Sequence, residues 1–175
     1  MENGIIKKID DLGRIVIPKD IRRKLRIKTG DNLEITIKNG DIVLKKYSMI
    51  NKINDLASEL VDSISIFMKH SIFITDTDNI IACSNSLKSK YLKKHISKEL
   101  EESIMRREKM FQNHFKLFNL IDDESITCSY VSCVILSGGE AVGMIIILSE
   151  TEKMTETEVQ MASIVSSFIT KYLEQ

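Results

Sequence analysis

The sequence predicts an α+β protein of two parts, a β-rich head over residues 1–50 and an α/β sandwich over residues 51–175. The formal net charge is +0, but the charge is unevenly distributed along the chain. Residues 1–46 carry 12 basic and seven acidic residues, a net charge of +5. The remaining residues carry 13 and 18, a net of −5. Apolar residues alternate in the head, as in strands, and recur at helical spacing at both ends of the body. A basic segment joined to an acidic one indicates contact with nucleic acid or a membrane surface.

Short apolar runs at residues 5–9 and 15–17 predict two strands in the head. The turn residues Asp10–Gly13 lie between them, and Pro18 ends the second strand because it lacks the N–H that a ladder needs. A short helix is expected over residues 20–26, with its basic side chains facing outward.

A hairpin follows, because residues 33–37 and 42–44 are apolar strands around Asn39-Gly40, the preferred pair for a type I′ turn. Four short strands bury too little apolar surface to be stable alone. Nearly every strand position is nevertheless Ile, Val or Leu. We therefore expect a second copy of the chain to cover the remaining apolar surface.

The order of residues in the head carries a resemblance to a known family. Residues 4–25, GIIKKIDDLGRIVIPKDIRRKL, together with Gly30–Ile35 and Leu44–Tyr47, resemble the AbrB-type DNA-binding domain of transition-state regulators. The resemblance implies an AbrB-like swapped-hairpin dimer whose basic face contacts double-stranded DNA. By the same resemblance, the DNA-binding residues are Lys7, Lys8, Arg14, Arg22 and Arg23.

The body begins with an amphipathic helix over residues 51–68, which joins it to the head. Thr155 with Glu158 forms a capping box that predicts the start of a final helix. Between these helices we expect strands at 72–76, 79–83, 125–136 and 141–149, helices at 87–92 and 98–109, and a strand or irregular segment at 111–118.

Residues 139–147, followed by an acidic loop and a long helix, resemble the end of a GAF domain, a small-molecule sensor fold. An AbrB-type head before a GAF-like body resembles a family of stage V sporulation regulators from endospore-forming bacteria. That resemblance implies a cytoplasmic transcription regulator in the developing spore, able to activate and to repress sporulation genes. It also implies a homotetramer, assembled from dimers through the first and last helices of the body.

A GAF-like body would hold its ligand between the sheet and the loops over it. Two alternatives stay open: the pocket senses an unknown small molecule, or apolar side chains fill it and the body serves assembly alone. No cofactor is expected. The candidate lining residues are Ser84, Ser86, Tyr91, Tyr130 and Cys133.

Other function classes have weaker support. Some GAF-fold enzymes reduce free methionine sulfoxide with pocket cysteines, but Cys128 and Cys133 are five apart on one predicted strand and so face opposite ways. Buried core cysteines in a reducing cytoplasm are the simpler interpretation, and we expect no catalytic residue. The three histidines lack metal-ligand spacing, so no metal site is expected. An antitoxin also fits an AbrB-like head, although the long ordered body argues against it, and no apolar run is long enough to cross a membrane.

Overall fold

The computed structural model describes residues 4–47 and 50–175, except for the side chains of residues 51 and 52. The chain divides into two compact units, Met1–Tyr47 and Ser48–Gln175, which we call the head and the body.

Within residues 4–47 the head contains one helix, α1 (Lys19–Lys24), and a two-stranded sheet of β1 (Leu33–Lys38) and β2 (Asp41–Lys46). The strands pair antiparallel, with Lys38 opposite Asp41 at the turn. Asn39 and Gly40 both have positive φ, 53° and 88°, as a type I′ turn requires. The predicted hairpin is confirmed.

Helix α1 ends two residues earlier than predicted. Arg26 adopts φ 51°, so the chain leaves the helix there. The N–H of Ile27 donates to the carbonyl of Arg22 (2.8 Å), and the N–H of Arg26 donates to that of Arg23 (3.3 Å). These two bonds form a Schellman motif, a helix ending that glycine usually supplies.

The two predicted strands at residues 5–9 and 15–17 are not formed within the single chain, although the turn between them is. Gly13 has φ 75° and donates its N–H to the carbonyl of Asp10 (2.9 Å). Strands need a neighbouring strand for their N–H and C=O groups, and no ladder among the described residues reaches these segments. No residue within 4–47 is buried. Exposed apolar side chains of the head include Ile5, Ile6, Ile9, Leu12, Ile15, Val16, Leu25, Ile35, Ile37 and Ile42.

A five-stranded antiparallel sheet in the order β4-β3-β7-β6-β5 forms the centre of the body. A turn of 3₁₀ helix, Ile50–Ile53, leads into α2, and a second, Asn85–Leu87, leads into α3. The strands are β3 (Ser71–Asp76), β4 (Ile80–Cys83), β5 (Met110–Ile121), β6 (Glu124–Ser137) and β7 (Glu140–Ser149). The helices are α2 (Asn54–Phe67), α3 (Lys88–Tyr91), α4 (Lys98–Met105) and α5 (Glu156–Leu173).

Helices cover both faces of this sheet. On one face α2 and α5 pack over an apolar core that includes Ile74, Val131 and Ile145. On the other face α3 and α4 pack over a second core that includes Phe73, Leu120 and Ile146. Neighbouring residues of β3 and β7 thus point into different cores, as the period of two in a strand requires.

The sequence predicted where α5 begins and where α4 ends, and the structure confirms only the first prediction. Thr155 and Glu158 form the predicted capping box at the start of α5. Helix α4 stops at Met105, before the predicted residue 109, because Arg107 takes φ 57°. The N–H groups of Arg107 and Glu108 then donate back to the carbonyls of Ile104 and Ser103.

Candidate nucleic-acid interface and ligand cavities

Arg14 is held at the end of the first turn of the head by the carboxylate of Asp10. One carboxylate oxygen accepts the N–H groups of Leu12 (3.1 Å) and Arg14 (2.8 Å), and the other accepts Arg14 Nε (2.7 Å). These bonds from the backbone and side chain of Arg14 lower the pKa of Asp10. The turn therefore orients a guanidinium that remains exposed to solvent.

Arg22 and Arg23 are neighbours on α1, where the residue before the helix is Pro18. The N–H of Arg22 donates to the carbonyl of Pro18 (3.0 Å), which closes the first helical turn. Arg23 is exposed, whereas Arg22 is partly buried, and its Nε is enclosed without a hydrogen-bond partner among the described residues.

Lys7 and Lys8 lie in the extended segment before the turn, and both are exposed. Because successive side chains of an extended chain point to opposite sides, a flat surface contacts one of them more directly than the other. The five predicted DNA-binding residues thus lie on three segments of the head: the extended segment, the turn and α1.

The five residues predicted to line a ligand pocket do not surround one cavity. Cys133 belongs to the core under α2 and α5, whereas Tyr91 and Tyr130 belong to the opposite core. Ser86 is exposed. Ser84 is buried, where its hydroxyl accepts the N–H of Ile72 (3.0 Å). Ligand binding by this set stays a prediction.

The two tyrosines of that set have structural contacts. Tyr91 packs edge-on against Phe73 at 5.4 Å between ring centres, and its hydroxyl donates to Glu124 (2.9 Å). Tyr130 packs on Phe118 at 4.4 Å and lines a cavity of about 170 Å³. Burial raises the pKa of both phenols, so both stay protonated at neutral pH.

Cys128 and Cys133 lie on opposite faces of the sheet, as strand periodicity predicts. All three are buried free thiols, with Cys133 in one core and Cys83 and Cys128 in the other. Burial raises the pKa of Cys83 and of Cys128 to about 11. A reductase needs a reactive thiolate, and neither of these two groups supplies one.

Two cavities of the body were not foreseen from the sequence. One, of about 480 Å³, lies between the start of α2 and the β3–β4 hairpin and includes Asp55, Asp76 and Lys93. The other, of about 280 Å³, lies against α5 and includes Arg107, Lys109 and Ser163. The residues that line each cavity come from elements distant in sequence, so no local sequence motif predicts either cavity.

Two family profiles match the chain. One, described as stage V sporulation protein T C-terminal, transcription factor, matches residues 52–174. The other, described as antidote-toxin recognition MazE, bacterial antitoxin, matches residues 6–52. Stage V sporulation protein T of Bacillus subtilis (strain 168) is 39% identical over 175 residues, which is 98% of each chain. The chain belongs to the stage V sporulation protein T family.

Membership in the stage V sporulation protein T family confirms the predicted class, a sporulation transcription regulator rather than an enzyme. Transition state regulatory protein AbrB of Bacillus subtilis (strain 168) is 52% identical over 44 residues, 25% of this chain and 46% of that protein. The AbrB-type head, a domain that binds DNA and oligomerises, is thereby confirmed. The antitoxin alternative is not favoured, because the antitoxin profile covers the head alone whereas the family relative covers nearly all residues.

Two solved structures support the predicted fold of the body. The GAF domain of the nutrient sensor CodY from Clostridium difficile has a TM-score of 0.50 at 12% identity, covering 89% of this chain and 94% of its own. Type II free methionine-R-sulfoxide reductase from Thermoplasma acidophilum has a TM-score of 0.54 at 8% identity, covering 73% and 95%. At these identities the likeness is of fold alone. Among the described residues, no helix combines the length and apolarity needed to span a membrane.

Proposed function

We propose that the chain activates and represses sporulation genes by binding double-stranded DNA through paired heads. The body senses a ligand or assembles the dimers. Family membership supports action in the cytoplasm of the developing spore. One observation carries the proposal: the head combines a basic charge of +5 with apolar strands of which no described residue is buried.

Pairing of the heads is inferred from the apolar side chains that a single head leaves exposed to solvent. Ile6 is 94% exposed in an apolar run, and Ile37 is 79% exposed although its strand has the alternation of a half-buried strand. A second copy provides strands for residues 5–9 and 15–17 and an apolar surface for the hairpin, which is what a swapped-hairpin dimer does. Two-fold symmetry then repeats each basic side chain and brings the charge of the paired heads to about +10.

DNA contact by the paired heads involves Lys7, Lys8, Arg14, Arg22 and Arg23. The orientation of the exposed Arg14 guanidinium by Asp10 and the exposure of Arg23 support contact with phosphate or base-edge acceptors. Phosphate contacts supply affinity, whereas base contacts and DNA shape supply sequence preference.

The experiment is a DNA-binding titration of the double variant Arg22→Ala plus Arg23→Ala over a range of salt concentrations. We expect at least about tenfold weaker binding and a shallower salt dependence, by about 0.9 for each phosphate that the variant no longer neutralises. The matched control, Lys116→Ala plus Lys153→Ala, removes the same charge from two exposed positions of the body. Equal decreases in both variants would show that net charge alone attracts DNA, and an undiminished affinity of the arginine variant would reject the interface.

Assembly into tetramers is supported by exposed apolar side chains on α2 and α5. Phe67 at the end of α2 is 84% exposed. Ile164, Phe168 and Tyr172 recur every four residues along α5, and all three are exposed. We call these last three residues the outer stripe of α5. Apolar stripes of this kind commonly mark contact surfaces.

Size measurement by light scattering tests this contact. The variant Ile164→Glu plus Phe168→Glu should reduce the particle from about 80 kDa to about 40 kDa, given a chain of 20.0 kDa. Ser89→Glu plus Thr151→Glu adds the same charge at exposed positions outside α2 and α5 and should leave the mass unchanged. A wild-type mass of about 40 kDa would reject the tetramer.

A further inference from the structure

A cavity lies at the free edge of β6, where the neighbouring strand has not yet begun. Strand β5 starts at Met110, opposite Ser132, so residues 133–137 of β6 pair with β7 alone. Hydroxyl groups of α5 form hydrogen bonds with backbone groups of β6 that a neighbouring strand would otherwise pair with. Ser166 Oγ donates to the carbonyl of Val134 (2.6 Å), and Thr170 Oγ1 accepts the N–H of Leu136 (3.1 Å).

The cavity of about 280 Å³ between this edge, α5 and the segment that follows α4 is positively charged. Its described lining residues include two basic and three serine side chains and no carboxylate. Lys109 Nζ donates to Ser163 Oγ (3.0 Å), whose own proton goes to the carbonyl of Val159 (2.8 Å). Ser163 thus fixes the ammonium without neutralising it.

Arg107 is the second cation, and its guanidinium has neither a hydrogen bond nor an ion pair among the described residues. The acidic neighbour Glu108 does not line this cavity, and its carboxylate lies 3.7 Å from Arg106 Nη1. Two cations without a carboxylate stand out in a body with a net charge of −5.

The backbone of Arg107 supports a functional role. Its φ of 57° is the left-handed conformation that ends α4, a position where glycine is normally found. A side chain in that conformation costs about 1 kcal/mol or more compared with glycine. An arginine there gives up stability that a glycine would provide, as Arg26 does at the end of α1 in the basic head.

We infer that this cavity binds the phosphate group of a small phosphorylated metabolite. The planar guanidinium of Arg107 presents two parallel N–H donors to phosphate oxygens, and Lys109 adds a point charge. The hydroxyl of Ser167, which also lines the cavity, is a further donor. The volume lies just below the range of about 300–1,000 Å³ for ligand pockets, so the metabolite is small. The inference rests on the ligand sensing proposed for the body, and its test does not depend on DNA binding by the head.

Full-length protein is titrated with inorganic phosphate, glycerol 3-phosphate and, as a carboxylate, acetate. Because the head is also basic, the double variant Arg22→Ala plus Arg23→Ala serves as the background. Binding is followed by calorimetry and by amide NMR shifts of residues 107–109 and 163–167. We expect both phosphates to shift these amides and acetate to leave them unmoved.

Arg107→Gly separates binding from folding, because glycine suits the backbone there. We expect it to unfold at the same or a higher temperature without ligand, and to bind phosphate at least tenfold more weakly. Arg106→Ala, an exposed neighbour that does not line the cavity, should bind as the background does. Unchanged phosphate affinity in Arg107→Gly, shifts confined to the head, or acetate binding as tight as phosphate would each overturn the inference. If Arg107→Gly fails to fold, Lys109→Gln must show the same decrease in affinity.

Discussion

Replacing Gly143 with alanine perturbs a close approach between β7 and β3 of the body. Gly143 lies on β7, paired with Asp76 of β3 on one side and Ile135 of β6 on the other. A Cβ built there would lie 2.0 Å from the carbonyl oxygen of Thr75 and 3.0 Å from Ile50 Cδ1. Cβ atoms essentially never lie closer than 3.0 Å to such atoms, so β3 must move away from β7.

The expected loss of folding free energy is estimated from the atoms that must move. The obstructing atom is backbone, so at least one ladder hydrogen bond is strained, which costs about 1 kcal/mol. Ile50 is fully buried, and displacing it adds an overpacking cost of about 1–3 kcal/mol. We therefore expect Gly143→Ala to destabilise the body by about 3 kcal/mol. For a unit of this size the midpoint of thermal unfolding falls by on the order of 10 °C.

Urea and thermal unfolding of the full chain, followed by circular dichroism, measure this destabilisation. Gly139→Ala is the matched control, because no described atom lies within 4 Å of its Cβ but its φ is +80°. Conformational strain alone should cost it about 1 kcal/mol. If Gly139→Ala destabilises the protein as much as Gly143→Ala, the close contact with Thr75 is not the cause.

Three further predictions concern charged and ionisable groups. Burial opposes ionisation of Glu158, but hydrogen bonds from Thr155 outweigh it and lower the Glu158 pKa, so its stabilisation is present at neutral pH and is lost as pH falls through that lowered pKa. Glu158→Gln should therefore cost about 1 kcal/mol in urea unfolding at pH 7 and much less at pH 3; an equal cost at both would contradict the capping role. Cys83 and Cys128 should react with a thiol reagent at pH 8 only after unfolding, because burial raises their pKa to about 11, and rapid reaction of the native protein would refute this. Asp10→Ala removes a negative charge yet should weaken DNA binding severalfold in a mobility-shift titration, because Arg14 loses the partner that orients it; tighter binding would show that charge alone matters.

Local signals predicted local structure well. Asn39-Gly40 encodes its turn within two residues, and the capping box encodes the start of α5 within four. The ends of α1 and α4 were missed for one physical reason: Arg26 and Arg107 occupy the left-handed position where a glycine would have signalled the stop. Such endings depend on how the following chain packs, which a local window does not contain.

The predicted ligand residues illustrate a second limit. Tyr130 and Cys133 are three apart on β6, an odd spacing that sends them into different cores, so periodicity alone argued against grouping them. The cavity with Arg107 and Ser163 depends on where β5 begins relative to β6, which is a matter of register. In the head, no described strand pairs with residues 5–9 or 15–17, and the pairing that we propose for them needs a second chain, so the folding of one copy does not determine it.

Helix α5 brings together several roles that the body needs. Its inner side packs on the sheet, its hydroxyls close the free edge of β6, and Ser163 and Ser167 line the cationic cavity. Each of these two serines directly precedes a residue of the outer stripe, Ile164 or Phe168. A phosphate bound at the cavity and a second copy bound at the stripe would therefore act on adjacent positions of one rigid helix. Linkage requires that if phosphate changes the affinity between copies, assembly changes the affinity for phosphate by the same factor. By such reciprocity, the proposed phosphate site would couple a small metabolite to the number of heads held together on DNA.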